Sequence, residues 1–278
     1  MSYVEFLRVR RAFYIYAAIV ATIVLIIVVS IHAARFHGSG GSVHISIGTG
    51  TDVRGDTHAP GGSRNDIGAI PFGLLLGLAG YFSAAFGTVL ASSLNRENER
   101  GFAFTKPVSR ARLALSYMAV DVAAIVAAYA YALLVFCLTP LASLGLLPAI
   151  VRDSHALGVL FLLLGFSLLW YGVLQAVTAG YRGRGGKFVG FSWIVFLVLV
   201  QLASVNALGP IFHGIVMLLN IVNPFAYVTS ISSHSNLGGD AVVDSVFPLS
   251  IEARAAITWC LAAAGCAVAI AAWKRVEV

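Results

Sequence analysis

Long apolar runs separated by short polar segments make up most of this chain. A membrane-spanning helix needs roughly 20 consecutive apolar residues. Five runs meet that length, at 12–33, 67–94, 113–138, 156–179 and 254–273. The charge-free stretch from Ala12 to Val29 exceeds the roughly 7–15 residues of a signal-peptide core, which favours a retained span over a cleaved signal. The pattern therefore predicts a membrane-spanning helix in each of these five runs, which are spans 1, 2, 3, 4 and 6 in chain order.

A sixth apolar region, 188–222, is too long for one span and too short for two spans with a turn. Gly209 and Pro210 interrupt it, because proline cannot continue a helix hydrogen-bond ladder. We interpret 188–208 as span 5 and 211–222 as a re-entrant half-helix ending before Pro224. About 12 residues at 1.5 Å each reach about 18 Å, which is short of a hydrocarbon core of about 30 Å.

This half-helix is expected to enter and leave the membrane on the outer side, with His213 near the external interface. Irregular backbone at membrane depth needs protein or water around it. Our hypothesis is that the element forms an outer gate. The gate residues are Gly209, Pro210, His213 and Pro224.

Composition agrees with a membrane protein. The chain of 278 residues is 59% hydrophobic and 11% charged, against about 25% charged in average soluble proteins, and its mean hydropathy is +0.89. These values exclude a soluble globular domain, a disordered chain and a disulfide-stapled secreted module. The predicted fold is all-α: one polytopic domain, 1–278, with six transmembrane helices and a re-entrant half-helix between spans 5 and 6.

The distribution of basic residues predicts the orientation. With both termini cytoplasmic, 13 of the 18 lysines and arginines lie in or beside inner segments, as the positive-inside rule requires. The loops 36–66 and 223–253 are then external, and 95–112 is cytoplasmic. A seven-span alternative, in which 211–230 crosses fully, would place Lys274 and Arg275 outside. Because the basic clusters fit a topology signal, no nucleic-acid partner is expected.

No motif for covalent chemistry is present. The run 183–187, GRGGK, lacks the first glycine and the Ser/Thr of a phosphate-binding loop. The three cysteines lie in apolar stretches without metal-ligand spacing, and we expect buried, inert thiols. We therefore expect no catalytic residue, no metal and no cofactor in this chain.

Three polar side chains stand out within the predicted spans: Asp121, Gln175 and Gln201. An acid at membrane depth costs about 2.5–3.5 kcal/mol on insertion scales and should face a partner or water. Asp121 either contacts a proton or substrate, or forms a structural pair with a residue such as Arg112 or Tyr117. The glutamines are expected to form hydrogen bonds between helices.

The most informative polar segment is 95–112, between spans 2 and 3. It combines basic residues with two acids and two exposed aromatics, features of a docking surface in which aromatic anchors carry binding. Pro107 breaks the chain before Ser109, which is suited to cap the helix of span 3.

The runs Glu97-x-Glu99-x-Gly101 and Thr105-Lys106-Pro107-Val108-Ser109-Arg110 resemble the cytoplasmic signature of bacterial ABC exporter permeases of the type 2 class. The six-span layout, the basic segment before span 1 and the re-entrant region are also similar to that family. The resemblance implies a multi-pass permease of the bacterial inner membrane without catalytic activity. It also implies an amphipathic interfacial helix at 2–11, although Arg10 falls within its apolar face.

By the same resemblance, two permease subunits pair as a homo- or heterodimer, and two separate ATPases dock beneath them and hydrolyse ATP. Spans 2 and 5 would line the dimer interface. The residues that would transmit movement from the ATPase are Glu97, Glu99, Arg100, Gly101, Phe102, Phe104, Pro107 and Arg110. The alternatives are a membrane-integral enzyme, an accessory subunit of a membrane complex, and a structural or sensor membrane protein.

Overall fold

The computed structural model describes residues 3–36, 72–94, 109–144, 154–178 and 250–275 of the chain, and these residues form five helices. The helices are α1 (Tyr3–Phe36), α2 (Phe72–Leu94), α3 (Arg110–Leu144), α4 (Ser154–Thr178) and α5 (Ile251–Arg275). No strand occurs among the described residues, in agreement with the predicted all-α class.

Four of these helices are long and apolar enough to cross a membrane, judged by length and composition. Their candidate spans are Phe6–Val29, Ala111–Phe136, Leu157–Thr178 and Glu252–Lys274. Gly77–Ser92 of α2 is a shorter apolar helix. The described residues therefore form a bundle consistent with a multi-pass membrane protein.

Helix α1 differs from the expectation that residues 2–11 form a separate interfacial helix. It continues for 34 residues from Tyr3 to Phe36, because this stretch contains no glycine or proline to interrupt it. At 1.5 Å per residue it is about 51 Å long. The basic N-terminal residues and the first span thus belong to one helix.

Helix α3 begins where the sequence predicted. The Oγ of Ser109 accepts a hydrogen bond from the N–H of Arg112 at 3.4 Å, and the Ser109 carbonyl accepts one from Leu113 N–H at 3.0 Å. The predicted cap is confirmed. At its other end α3 continues through Pro140 to Leu144, beyond the predicted end of span 3 at residue 138, so the proline at position 140 does not end the helix.

The directions of the helices follow from their contacts. Arg8 pairs with Asp121 and Tyr131 bonds to the carbonyl of Ala17, so α1 and α3 run parallel. Asp121 of α3 accepts a bond from Tyr171 of α4, while Tyr129 donates to the Leu160 carbonyl. These two helices therefore run antiparallel.

Helices α4 and α5 run parallel and pack closely. Trp259 of α5 donates to the carbonyl of Phe161 near the start of α4 at 3.0 Å. Further along, a Cβ placed on Gly172 would lie 3.1 Å from the backbone nitrogen of Cys266. Glycine at position 172 allows this close approach of two helix backbones.

Helix α2 is largely buried in the described bundle. It packs against α1, α3 and α4, and among residues 77–92 only Ala85 and Val89 are exposed. Ser83 and Ser167 form a buried hydroxyl pair at 2.5 Å between α2 and α4. Tyr16, Phe86 and Ile125 belong to the surrounding apolar core.

Several predicted elements fall outside the described residues. They are span 5 at 188–208, the half-helix at 211–222 and most of the segment 95–112, together with nearly all of the loops 36–66 and 223–253. What the sequence predicts for these segments stays a prediction.

Candidate functional site

The main polar feature of the described bundle is a buried cluster around Asp121 on α3. The Asp121 side chain is fully buried. Its Oδ1 lies 2.5 Å from Nη2 of Arg8 on α1, and its Oδ2 accepts a hydrogen bond from the Tyr171 hydroxyl on α4 at 2.8 Å. One carboxylate thus joins three helices.

Gln175 extends the cluster by one turn of α4. Its Nε2 donates to the Tyr171 hydroxyl at 3.4 Å, as expected for side chains four residues apart on one helix face. Gln175 is fully buried, and its Oε1 has no hydrogen-bond partner among the described residues. The described hydrogen-bond chain from Asp121 therefore ends at this amide.

The Arg8 guanidinium also contacts aromatic residues. Its Cζ lies 5.7 Å from the centre of the Tyr117 ring, within the range of a cation–π interaction. The Tyr117 ring stacks on Trp273 of α5 with centroids 6.4 Å apart. These contacts place the start of α1, the start of α3 and the end of α5 together at one end of the bundle.

The cluster explains how an acid is accommodated at membrane depth. An isolated carboxylate there is costly, but here the opposite charge of Arg8 and the Tyr171 hydroxyl replace its hydration. The side chain of Arg8 is only 11% exposed, so both charges of the pair are largely removed from solvent. Removing one partner of such a pair typically costs about 3–5 kcal/mol, because the other charge stays buried.

This geometry favours a positioning role for Asp121 over substrate or proton contact. Each carboxylate oxygen is engaged by a donor from a different helix. A proton carrier would have to break one of these contacts. The pairing partner is Arg8, 113 residues away, and not Arg112, which we had considered from the sequence.

Arg8 and Tyr171 are the two members that sequence reasoning did not identify. One feature of the sequence could have identified Arg8. The stretch from Tyr3 onward contains no helix breaker, so the positively charged Arg8 belongs to the same helix as span 1. Arg10 and Arg11, its neighbours, are exposed. No sequence pattern distinguishes Tyr171 from the other aromatic residues of the spans.

The other predicted site residues are not part of this cluster. Arg110 is the first residue of α3, so the predicted coupling segment leads directly into the helix that carries Asp121. The remaining candidates lie outside the described residues: Glu97, Glu99, Arg100, Gly101, Phe102, Phe104, Pro107, Gln201, Gly209, Pro210, His213 and Pro224.

The cysteines differ in part from expectation. Cys260 is exposed on the outside of the described bundle, and Cys266 is half-buried beside Gly172. Both are free thiols. Cys260 is therefore not the buried thiol that we expected.

Comparison with protein families, characterised proteins and solved structures gives no match to this chain.

Proposed function

We propose that this chain is the membrane-spanning permease subunit of an ATP-driven ABC transporter of the type 2 exporter class. The observation that carries the proposal is the segment Glu97–Arg110, whose residues resemble the cytoplasmic signature of that family. It joins α2, a largely buried helix of the described bundle, to α3, the helix of the buried ion pair. Movement of a docked ATPase would reach the bundle at this junction.

The parallel directions of α4 and α5 support the proposed six-span topology. Each membrane crossing reverses the direction of the chain. Two spanning helices that run in the same direction must therefore be separated along the chain by an odd number of crossings. Span 5 at 188–208, followed by a re-entrant half-helix at 211–222, provides one crossing between Thr178 and Ser250. The seven-span alternative provides two crossings and would make α5 antiparallel to α4, contrary to their contacts.

The contacts at one end of the bundle support termini on the same side. Arg8 near the start of α1 and Trp273 near the end of α5 both pack on Tyr117. An even number of spans places both termini on one side of the membrane. The basic clusters indicate that this side is the cytoplasm, and the membrane is then the bacterial inner membrane.

In this proposal the chain pairs with a second permease subunit, and two separate ATPases dock at the segment 95–112. ATP hydrolysis takes place on the ATPases, and their closure alternates or opens a path along the dimer interface. The outer end of that path is closed by the element 209–224. This chain itself makes and breaks no covalent bond.

The rival proposal, a membrane-integral enzyme or accessory subunit, requires reactive acids, histidines or cysteines near a membrane surface. Within the described residues the fully buried acid, Asp121, already contacts Arg8 and Tyr171. This arrangement favours the permease. A coding sequence for an ATPase with Walker motifs beside that of this chain would support it further.

The docking segment is tested by charge reversal. Glu97→Lys with Glu99→Lys should reduce co-purification of the adjacent ATPase by about tenfold, equivalent to about 1.4 kcal/mol, without reducing membrane insertion. The matched control is Glu252→Lys, an exposed acid in the first turn of α5. Equal ATPase recovery and equal ATP hydrolysis in parent and doubly reversed variant would contradict the docking role.

A further inference from the structure

Helix α1 is the most exposed of the described spanning helices. Among its large apolar side chains, those on the outside of the bundle include Tyr14, Ile15, Ile19, Leu25, Ile26 and Val29. Among the α1 side chains that the structure describes, the buried apolar ones are Val9, Tyr16 and Val20. Lipid tails are as apolar as these side chains, so apolar burial contributes little to holding one helix against another in a bilayer. Polar contacts and packing must hold α1 in place.

Polar contacts join α1 to α3, and three of them are made by Arg8, Tyr16 and Tyr131. The Tyr16 hydroxyl donates to the Ala128 carbonyl at 3.1 Å, and the Tyr131 hydroxyl donates to the Ala17 carbonyl at 3.3 Å. Both are neutral, and both acceptors are helix carbonyls. The third is the ion pair of Arg8 with Asp121, and hydrogen bonds between charged groups are about twice as strong as neutral ones.

The other helices are joined to one another by contacts that do not involve α1. The serine pair links α2 to α4, and Gly172 brings α4 against α5. Tyr129 links α3 to α4 through the Leu160 carbonyl. Loss of the contact to Arg8 leaves these contacts in place.

We propose that the Arg8–Asp121 ion pair is a latch that docks the N-terminal end of α1, around Arg8 and Val9, on α3. Breaking the latch releases this end of α1, while α2, α3, α4 and α5 stay together. The latch is a conformational device of the bundle and does not depend on the transport function proposed above.

The experiment measures how fast a water-soluble maleimide labels Val9→Cys in a chain whose three native cysteines are replaced by serine. Val9 is buried near the N-terminal end of α1, so the thiol reacts only when this end opens. Arg8→Met and Asp121→Asn should each raise the labelling rate at least about tenfold, because labelling follows the population of the open state. Arg8→Lys keeps a positive charge that can still form a charge-assisted hydrogen bond with Asp121, so its labelling rate should stay within about threefold of the parent.

Two controls separate a latch from general loosening. Arg10→Met removes an exposed positive charge two residues from the latch and should leave the rate unchanged. Ala114→Cys reports on the packing of α3 against α5 at the same end of the bundle, because Ala114 is buried with Trp273. Its labelling should stay slow in every variant.

The outcomes decide the proposal without a transport assay. Labelling of Val9→Cys at the parent rate in Arg8→Met or Asp121→Asn would overturn it. An equal rise at Ala114→Cys would overturn it too, since the whole end of the bundle would then have opened. If Arg8→Lys labels as fast as Arg8→Met, the charge is not what docks α1.

Discussion

Gly172→Ala should destabilise the chain because it forces two helix backbones apart. The added Cβ would lie 3.1 Å from the backbone nitrogen of Cys266, 3.2 Å from the carbonyl oxygen of Ala262 and 3.2 Å from the Cys266 sulfur. Two of these atoms are backbone, so α5 itself has to shift. Over-packing of a close-packed interior costs about 1–3 kcal/mol, and replacing a helical glycine by alanine recovers about 1 kcal/mol. We expect a net loss of about 0–2 kcal/mol, centred near about 1 kcal/mol.

Gly87→Ala is the matched control. Its Cβ would lie 3.1 Å from Cδ1 of Ile125, the end of a flexible side chain, and 3.4 Å from Cβ of Tyr171. Ile125 can move by a few tenths of an ångström, so the helix-propensity gain should offset the crowding. The assay is thermal unfolding of each purified variant in one detergent.

The two variants should differ by about 1 kcal/mol, which corresponds to about 2–4 °C for a chain of this size. Gly172→Ala should have the lower midpoint. A midpoint for Gly172→Ala equal to or above that of Gly87→Ala would refute the close approach of α4 and α5. It would also remove the geometric support for an odd number of crossings between them.

Three further predictions follow from the topology and the cluster. A reporter after Val278 should be cytoplasmic and one near Gly50 external; an external C-terminal reporter would contradict the six-span topology. Tyr171→Phe removes the donor to Asp121 and should lower stability by about 1–3 kcal/mol. The loss should exceed that of Tyr129→Phe, whose hydroxyl donates to the Leu160 carbonyl; equal midpoints would count against the cluster. In a cysteine-free chain, Ile211→Cys should react with an impermeant thiol reagent added outside, and reaction only from the cytoplasmic face would rule out both re-entrant geometry and outer gate.

The helices themselves were largely predictable from the sequence. An apolar run long enough to span a membrane predicts a helix by itself, because its backbone N–H and C=O groups must form hydrogen bonds within the segment when they lie in lipid. The cap at Ser109 was predictable for a similar reason, because it depends on residues within one turn. Pro140 shows where this local reasoning failed. A helix in lipid tolerates proline when neighbouring groups satisfy the freed backbone carbonyl, and α3 continues past it.

The sequence by itself predicted long apolar helices, consistent with a multi-pass membrane protein, and predicted that Asp121 needs a partner. Both conclusions follow from solvation, which each segment experiences independently of the others. Only the tertiary structure decided that this partner is Arg8, that Tyr171 supplies the second contact, and that α4 runs parallel to α5. Arg8 and Asp121 are 113 residues apart. Their meeting depends on how α1 and α3 are rotated and aligned, and these quantities are set by packing between helices and not by the composition of either one.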